Sequence, residues 1–158
     1  MTQEIHIRKA IESDAAAIKE VINSAFRIAE HFFVDGDRVD LAEVQEGIRK
    51  GAFLLVESNN VIDGCVYVEP RGDKAYLGLL SVTPRQQQRG TGSRLVQAGE
   101  NYCRNLGCSF MEIKIVNVRT ELPAFYSKRG YVETGTSPFP PGIETKVPCH
   151  FIDMTKRL

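Results

Sequence analysis

The stretch Leu79-Leu80-Ser81-Val82-Thr83-Pro84-Arg85-Gln86-Gln87-Gln88-Arg89-Gly90-Thr91-Gly92-Ser93 runs from the end of an apolar strand, through a turn punctuated by two glycines, into the start of a helix. That order builds an anion site. Glycines let the backbone take positive φ and approach a ligand closely, while the first N–H groups of the helix lack intrahelical partners and share the positive end of its dipole. A diphosphate is the natural guest. The lysine-bearing phosphate loop of ATPases is absent. The dinucleotide fingerprint G-x-G-x-x-G is unmatched, because Leu95 stands where its third glycine belongs. Taken alone, the glycine pair is equally compatible with an ordinary turn.

Downstream, Leu95, Val96, Gly99, Tyr102, Cys103 and Leu106 recur at helical spacing and Gly107 marks a stop. Alternation over Phe110 to Val116 predicts a strand, Leu122 to Lys128 a short helix ended by Gly130, and Val132 and Phe151 to Met154 two more strands. Upstream, Ile5 and Ile7 mark a first strand. Ser13 or Asp14 is placed to cap a helix whose buried face is Ile18, Val21, Ile22, Ala25 and Phe26. Leu41, Val44 and Ile48 mark a second helix ended by Gly51; strands follow at Ala52 to Glu57, Val61 to Val68 and Ala75 to Val82. The expected fold is α/β of the α+β kind, one domain over residues 1–158, with about seven strands in a mixed sheet flanked by about four helices. The irregular segment from Gly135 to Val147, with Pro138, Pro140 and Pro141, is long enough to form a substrate wall.

Composition narrows the function. The chain has 158 residues, 42% hydrophobic, with 20 Lys plus Arg against 20 Asp plus Glu. Balanced charge provides no field for nucleic acid or an anionic membrane. Cys65, Cys103, Cys108 and Cys149 have no zinc-site spacing, and His6, His31 and His150 stand alone, so no metal site is expected. The start Met1-Thr2-Gln3-Glu4 lacks a leader's basic and apolar runs and no apolar stretch reaches the about 20 residues that span a bilayer, which points to the cytoplasm.

Gln87, Gly90 and Gly92 fit the pattern Gln or Arg, two residues, Gly, one residue, Gly or Ala. With the strand ending Ser81-Val82-Thr83-Pro84, with Asn117, and with Ala124-Phe125-Tyr126-Ser127-Lys128-Arg129-Gly130-Tyr131, the sequence resembles the GNAT superfamily of N-acetyltransferases over nearly its whole length. The resemblance implies acetyl-CoA as the acetyl donor and an amine of a small molecule or peptide as acceptor, joined in a ternary complex. It implies that, in the loop Gln87-Gln88-Arg89-Gly90-Thr91-Gly92, the amides around Gln88, Gly90, Gly92 and Ser93 hold the pyrophosphate, and that the backbone of Leu80, Ser81 and Val82 pairs with the pantetheine arm; Arg89 and Arg94 are candidates to add charge to the phosphates, with solvated arginines flanking the loop the equal alternative. It also implies a bulge that splays this strand from the next, opening a slot lined by Asn117 and Tyr126.

Acetyl transfer to an amine needs a neutral nucleophile, a polarised carbonyl and a proton for the departing thiolate. Tyr126 matches the family tyrosine that donates that proton; the plain alternative is an aromatic on the buried face of a short helix. No carboxylate lies in the strand from Ala75 to Leu80, where several family members carry their base. Glu69 is the candidate, Glu30 another, and solvent-exposed carboxylates are the plain alternative. Phe26, Glu30 and Phe33, with Phe32 beside them, are candidates for the acceptor wall; Phe32 and Phe33 are equally core residues by composition. Dimers are common in the resembled family, so a homodimer is possible. A module that binds acyl-CoA without transfer is the alternative function.

Overall fold

The computed structural model describes residues 5–158; Met1 to Glu4, read above for a leader, lie outside the described residues. Strand β1 (His6–Lys9) is followed by a 3-10 turn and helix α1 (Ala15–Glu30). Helix α2 (Leu41–Lys50) precedes the antiparallel strands β2 (Ala52–Ser58), β3 (Val61–Arg71) and β4 (Lys74–Val82). Helix α3 (Thr91–Asn105), strand β5 (Phe110–Val116), helix α4 (Leu122–Ser127) and strands β6 (Val132–Pro138) and β7 (His150–Arg157) complete the order. Among the described residues seven strands form one sheet in the order β1-β2-β3-β4-β5-β7-β6, parallel only between β4 and β5. The predicted mixed sheet and helix count are what is found.

Strand β3 is buried along most of its length because helices cover both faces of the sheet, and its alternate residues serve two cores. Val66 and Val68 join Leu77, Leu95, Cys103 and Met111 under α3, whereas Cys65 and Tyr67 join Ile18, Ile22, Val44 and Phe53 under α1 and α2. Ile18 and Ile22 are fully buried, each worth about 1.5–3 kcal/mol relative to exposure.

Two local expectations change. Asp14 stands at the N-cap of α1 without capping it: its carboxylate accepts from the Ile11 N–H at 2.8 Å and pairs with Arg8 of β1. Its carboxylate thus closes the 3-10 turn that precedes α1 instead of capping α1 itself. Helix α2, by contrast, begins with a capping box, in which the Asp40 carboxylate accepts from the Glu43 N–H at 2.8 Å. The segment expected to be irregular from Gly135 is strand up to Pro138, because Thr136, Ser137 and Pro138 pair with Ile152, Phe151 and His150 on the sheet edge. Proline is tolerated at such an edge. Among the described residues no helix is long and apolar enough to cross a membrane.

Candidate active site

The parallel contact between β4 and β5 stops early, with Lys74, Ala75 and Tyr76 opposite Phe110, Met111 and Glu112. Beyond Tyr76 the two strands diverge. Pairing between β3 and β4 shifts by one residue between Cys65 and Tyr67, and within that bulge Leu79 takes φ 55°, left-handed for a branched side chain. The Leu79 carbonyl accepts from the Ser81 hydroxyl at 3.1 Å, which explains why Ser81 is buried and turned from the cleft. The edge of β4 from Leu77 onward therefore faces open space instead of a strand. A cleft of about 810 Å³ fills the gap, lined by that edge, the glycine loop, the end of β5, α4 and the end of α1.

At one end of the cleft lies the glycine loop. Gln88 (φ 64°) and Gly90 (φ 76°) are left-handed, and Gly90 is the N-cap of α3 with no side-chain cap. A Cβ at Gly90 would meet nothing within 4 Å, so the space above it is free for a ligand. The first intrahelical bond runs from the Arg94 N–H to the Gly90 carbonyl at 3.0 Å, which leaves the amides of Thr91, Gly92 and Ser93 for an outside acceptor. Gln87 donates to the Val82 carbonyl at 3.1 Å.

Sequence reasoning passed over Arg129. Its guanidinium stacks on the Phe125 ring at 3.7 Å, donates from Nε to Ser93 Oγ at 3.1 Å, and lines the cleft beside the start of α3. The only sequence signal was its spacing four residues after Phe125. Arg89 and Arg94, expected near an anion, do not line the cleft. Nor does Asn117, whose side-chain oxygen accepts from the His150 N–H at 2.9 Å and ties the end of β5 to β7.

Tyr126 lines the same cavity. Its ring is 7% exposed, packed edge-on to Phe125 and Tyr131, and its hydroxyl has no hydrogen-bond partner among the described residues. Burial pushes its pKa up to about 12 against the pull of Arg119 and Arg129, so the hydroxyl keeps its proton at neutral pH. Glu30 lines the same cavity. Burial raises its pKa, opposed by Arg119, whose Nη1 lies 3.1 Å from Glu30 Oε2.

Two other expectations are corrected. Glu69 is outside this cleft: it borders a separate hollow of about 630 Å³ beneath α2, where the Tyr67 hydroxyl donates to it at 2.6 Å and Arg71 pairs with it. Those hydrogen bonds hold its carboxyl below the usual range. Phe33 is fully buried and absent from the cleft wall, while Phe32 is half exposed and also off the wall. Phe26 does line the cavity, as do Phe139 and Pro140 of the late loop; Pro138 and Pro141 do not.

A mixed sheet whose parallel pair splays beside a glycine loop and a helix N-terminus defines the N-acetyltransferase class of protein. The model of the acetyltransferase (GNAT) family matches residues 17–131, and the chain belongs to that family. No curated protein sequence matches it. The fold is similar to that of Ard1 from Thermoplasma volcanium, at 17% identity and TM-score 0.80 over 98% of this chain and 97% of that one. It is also similar to the PaiA N-acetyltransferase of Thermoplasma acidophilum solved in complex with coenzyme A, at 16% identity and TM-score 0.81 over 98% and 99%. A ribosomal-protein-alanine N-acetyltransferase from Brucella melitensis gives 19% identity and TM-score 0.79 over 97% and 99%. At such identities these likenesses speak for the fold. The protein is an acyltransferase of the GNAT family.

Proposed function

We propose that the chain transfers an acetyl group from acetyl-CoA to a primary amine, of a small molecule or peptide, by direct attack in a ternary complex. The observation that carries this is the meeting, on one cleft, of an unpaired strand edge, unpartnered amides at the start of α3 and the protonated hydroxyl of Tyr126. The donor fits the residues present: free space above Gly90 and the amides from Gln88 to Ser93 suit a pyrophosphate, with Arg129 as the accompanying cation. The edge of β4 at Leu80 and Val82 suits the amides of a pantetheine arm.

Acetyl-CoA supplies an activated thioester when bound. Backbone groups of the bulged strand orient and polarise it. Tyr126 holds its proton at Oη until a departing sulfur takes it. Glu30 replaces Glu69 as the carboxylate that receives the proton of the acceptor ammonium, directly or through water, because Glu30 shares the cleft and its raised pKa brings it closer to the working range of a base. The acceptor lies between Phe26 and Glu30 on one side and Phe139 and Pro140 on the other.

The test is the melting temperature with acetyl-CoA, with CoA and without ligand, for wild type and Gly90→Glu. A native-state ligand at a hundredfold excess over its dissociation constant adds about 2.7 kcal/mol. Stabilisation of wild type alone places the donor at this loop, and thiol release then ranks candidate amines. Equal melting with and without ligand removes the proposal.

A further inference from the structure

Asp63 lies near the start of β3, outside the cleft, with 1% of its surface exposed. A buried carboxylate persists only when its lone pairs are met, and here the donors come largely from one short segment. Oδ1 accepts from Arg85 Nε at 2.8 Å and Thr83 Oγ1 at 3.2 Å; Oδ2 accepts from Arg85 Nη2 at 2.7 Å, Ser58 Oγ at 3.0 Å and Gln86 Nε2 at 3.5 Å. The Asp63 carbonyl accepts from the Thr83 N–H at 2.8 Å. Thr83, Arg85 and Gln86 belong to the link between the bulged strand and the glycine loop. Gln86, itself buried, passes the connection on: its Oε1 lies 3.5 Å from the hydroxyl of Thr91, the first residue of α3.

That loop needs holding. Gln88 pays the steric penalty of a left-handed backbone with a full side chain, and Gly90 repeats the conformation two residues later. An unfastened segment would relax and lose the common aim of its amides. One end is fastened by α3; the bidentate pair of Asp63 with Arg85 fastens the other. Ordering the loop before the ligand arrives removes an entropic cost from binding.

We propose that Asp63 is the positioning residue of the glycine loop, clamping Thr83, Arg85 and Gln86 so that the amides from Gln88 to Ser93 are aimed before CoA binds. This rests on the reading of that loop as the pyrophosphate site. The isosteric Asp63→Asn keeps the shape but turns an amide donor toward a ring of donors. Arg85→Ala removes the clamp from a half-exposed side chain outside the cleft.

The experiment is CoA titration by calorimetry on both variants and wild type, with hydrogen exchange measured on each without ligand. The dissociation constant for CoA should rise about tenfold in Asp63→Asn, the size expected for coupled neighbours, and in the same direction in Arg85→Ala. Exchange should quicken in residues 86–93 while peptides from α1 and β7 keep their rates. A folded Asp63→Asn that binds CoA as wild type does overturns the proposal, as does weakened binding with exchange raised evenly across the sheet. Should Asp63→Asn fail to fold, Arg85→Ala decides, and unchanged affinity there overturns it. Wild type that does not bind CoA overturns the pyrophosphate reading and this inference together; tight binding by all three proteins overturns the inference alone.

Discussion

Tyr126 and Glu30 line one cavity, and burial raises the pKa of both, favouring the neutral, protonated form of each. The tyrosine stays protonated; the glutamate ionises later than a free one. Because the Tyr126 hydroxyl has no protein partner among the described residues, Tyr126→Phe should leave folding and the CoA-induced melting shift as they are. It should lower turnover about a hundredfold, as loss of a positioned proton donor does. Turnover equal to wild type would withdraw the assignment. For Glu30 the reactive form is the carboxylate, so activity should fall as pH drops through its raised pKa. The acid limb of kcat/KM then lies above the ordinary carboxylate range. Glu30→Gln should lose about a hundredfold and abolish that limb; a limb that persists in the variant assigns it to another group. Tyr126 was legible from the sequence as a family match. The choice between Glu30 and Glu69 was not, because both are lone carboxylates at element ends and only the fold directs one into the cleft and the other beneath α2.

At the scale of elements, helix ends and glycines were read well wherever the cause is local. Gly51 was placed as the stop of α2, and the structure adds a second reason for a glycine there: a Cβ would lie 2.3 Å from the Val68 carbonyl oxygen, a backbone atom of β3. Gly51→Ala should therefore push α2 off the sheet and cost about 1–3 kcal/mol, as overpacking does, read as a lowered urea midpoint at unchanged slope. A midpoint within error of wild type would mean that the helix moves freely. Gly135 to Pro138 carry turn-forming residues yet extend as strand because β7 offers them partners, so local propensity yields there to long-range pairing. Asp14 fails to cap α1 for a local reason: its carboxylate is taken by the Ile11 N–H of the preceding turn and by Arg8, six residues before it.

Across the whole molecule, carboxylates are engaged by cations and hydroxyls: Asp14 ties to β1 and Asp63 to the link after β4, while Glu69 is held within its own strand. All three have depressed pKa values. For Asp63 burial alone acts upward and is outweighed by Arg85, Ser58 and Thr83. A depressed folded pKa means that the unfolded chain binds the proton more readily. Their stabilisation is thus present above the unfolded values, near pH 4, and drains away as pH falls through the folded ones. Urea midpoints should drop steeply below about pH 4, and the drop should be shallower in Asp63→Asn; parallel curves for the two proteins would show that Asp63 carries none of it. The sequence by itself determined the order of elements, the glycine loop before α3 and the family, because periodicity, turn chemistry and motif spacing act over a few residues. Only the tertiary structure decided where β4 and β5 part, that Arg129 rather than Arg89 or Arg94 faces the cleft, that Phe33 is core, and that Asp63 braces the loop. Each of these depends on side chains distant in the chain competing for the same space and the same hydrogen bonds.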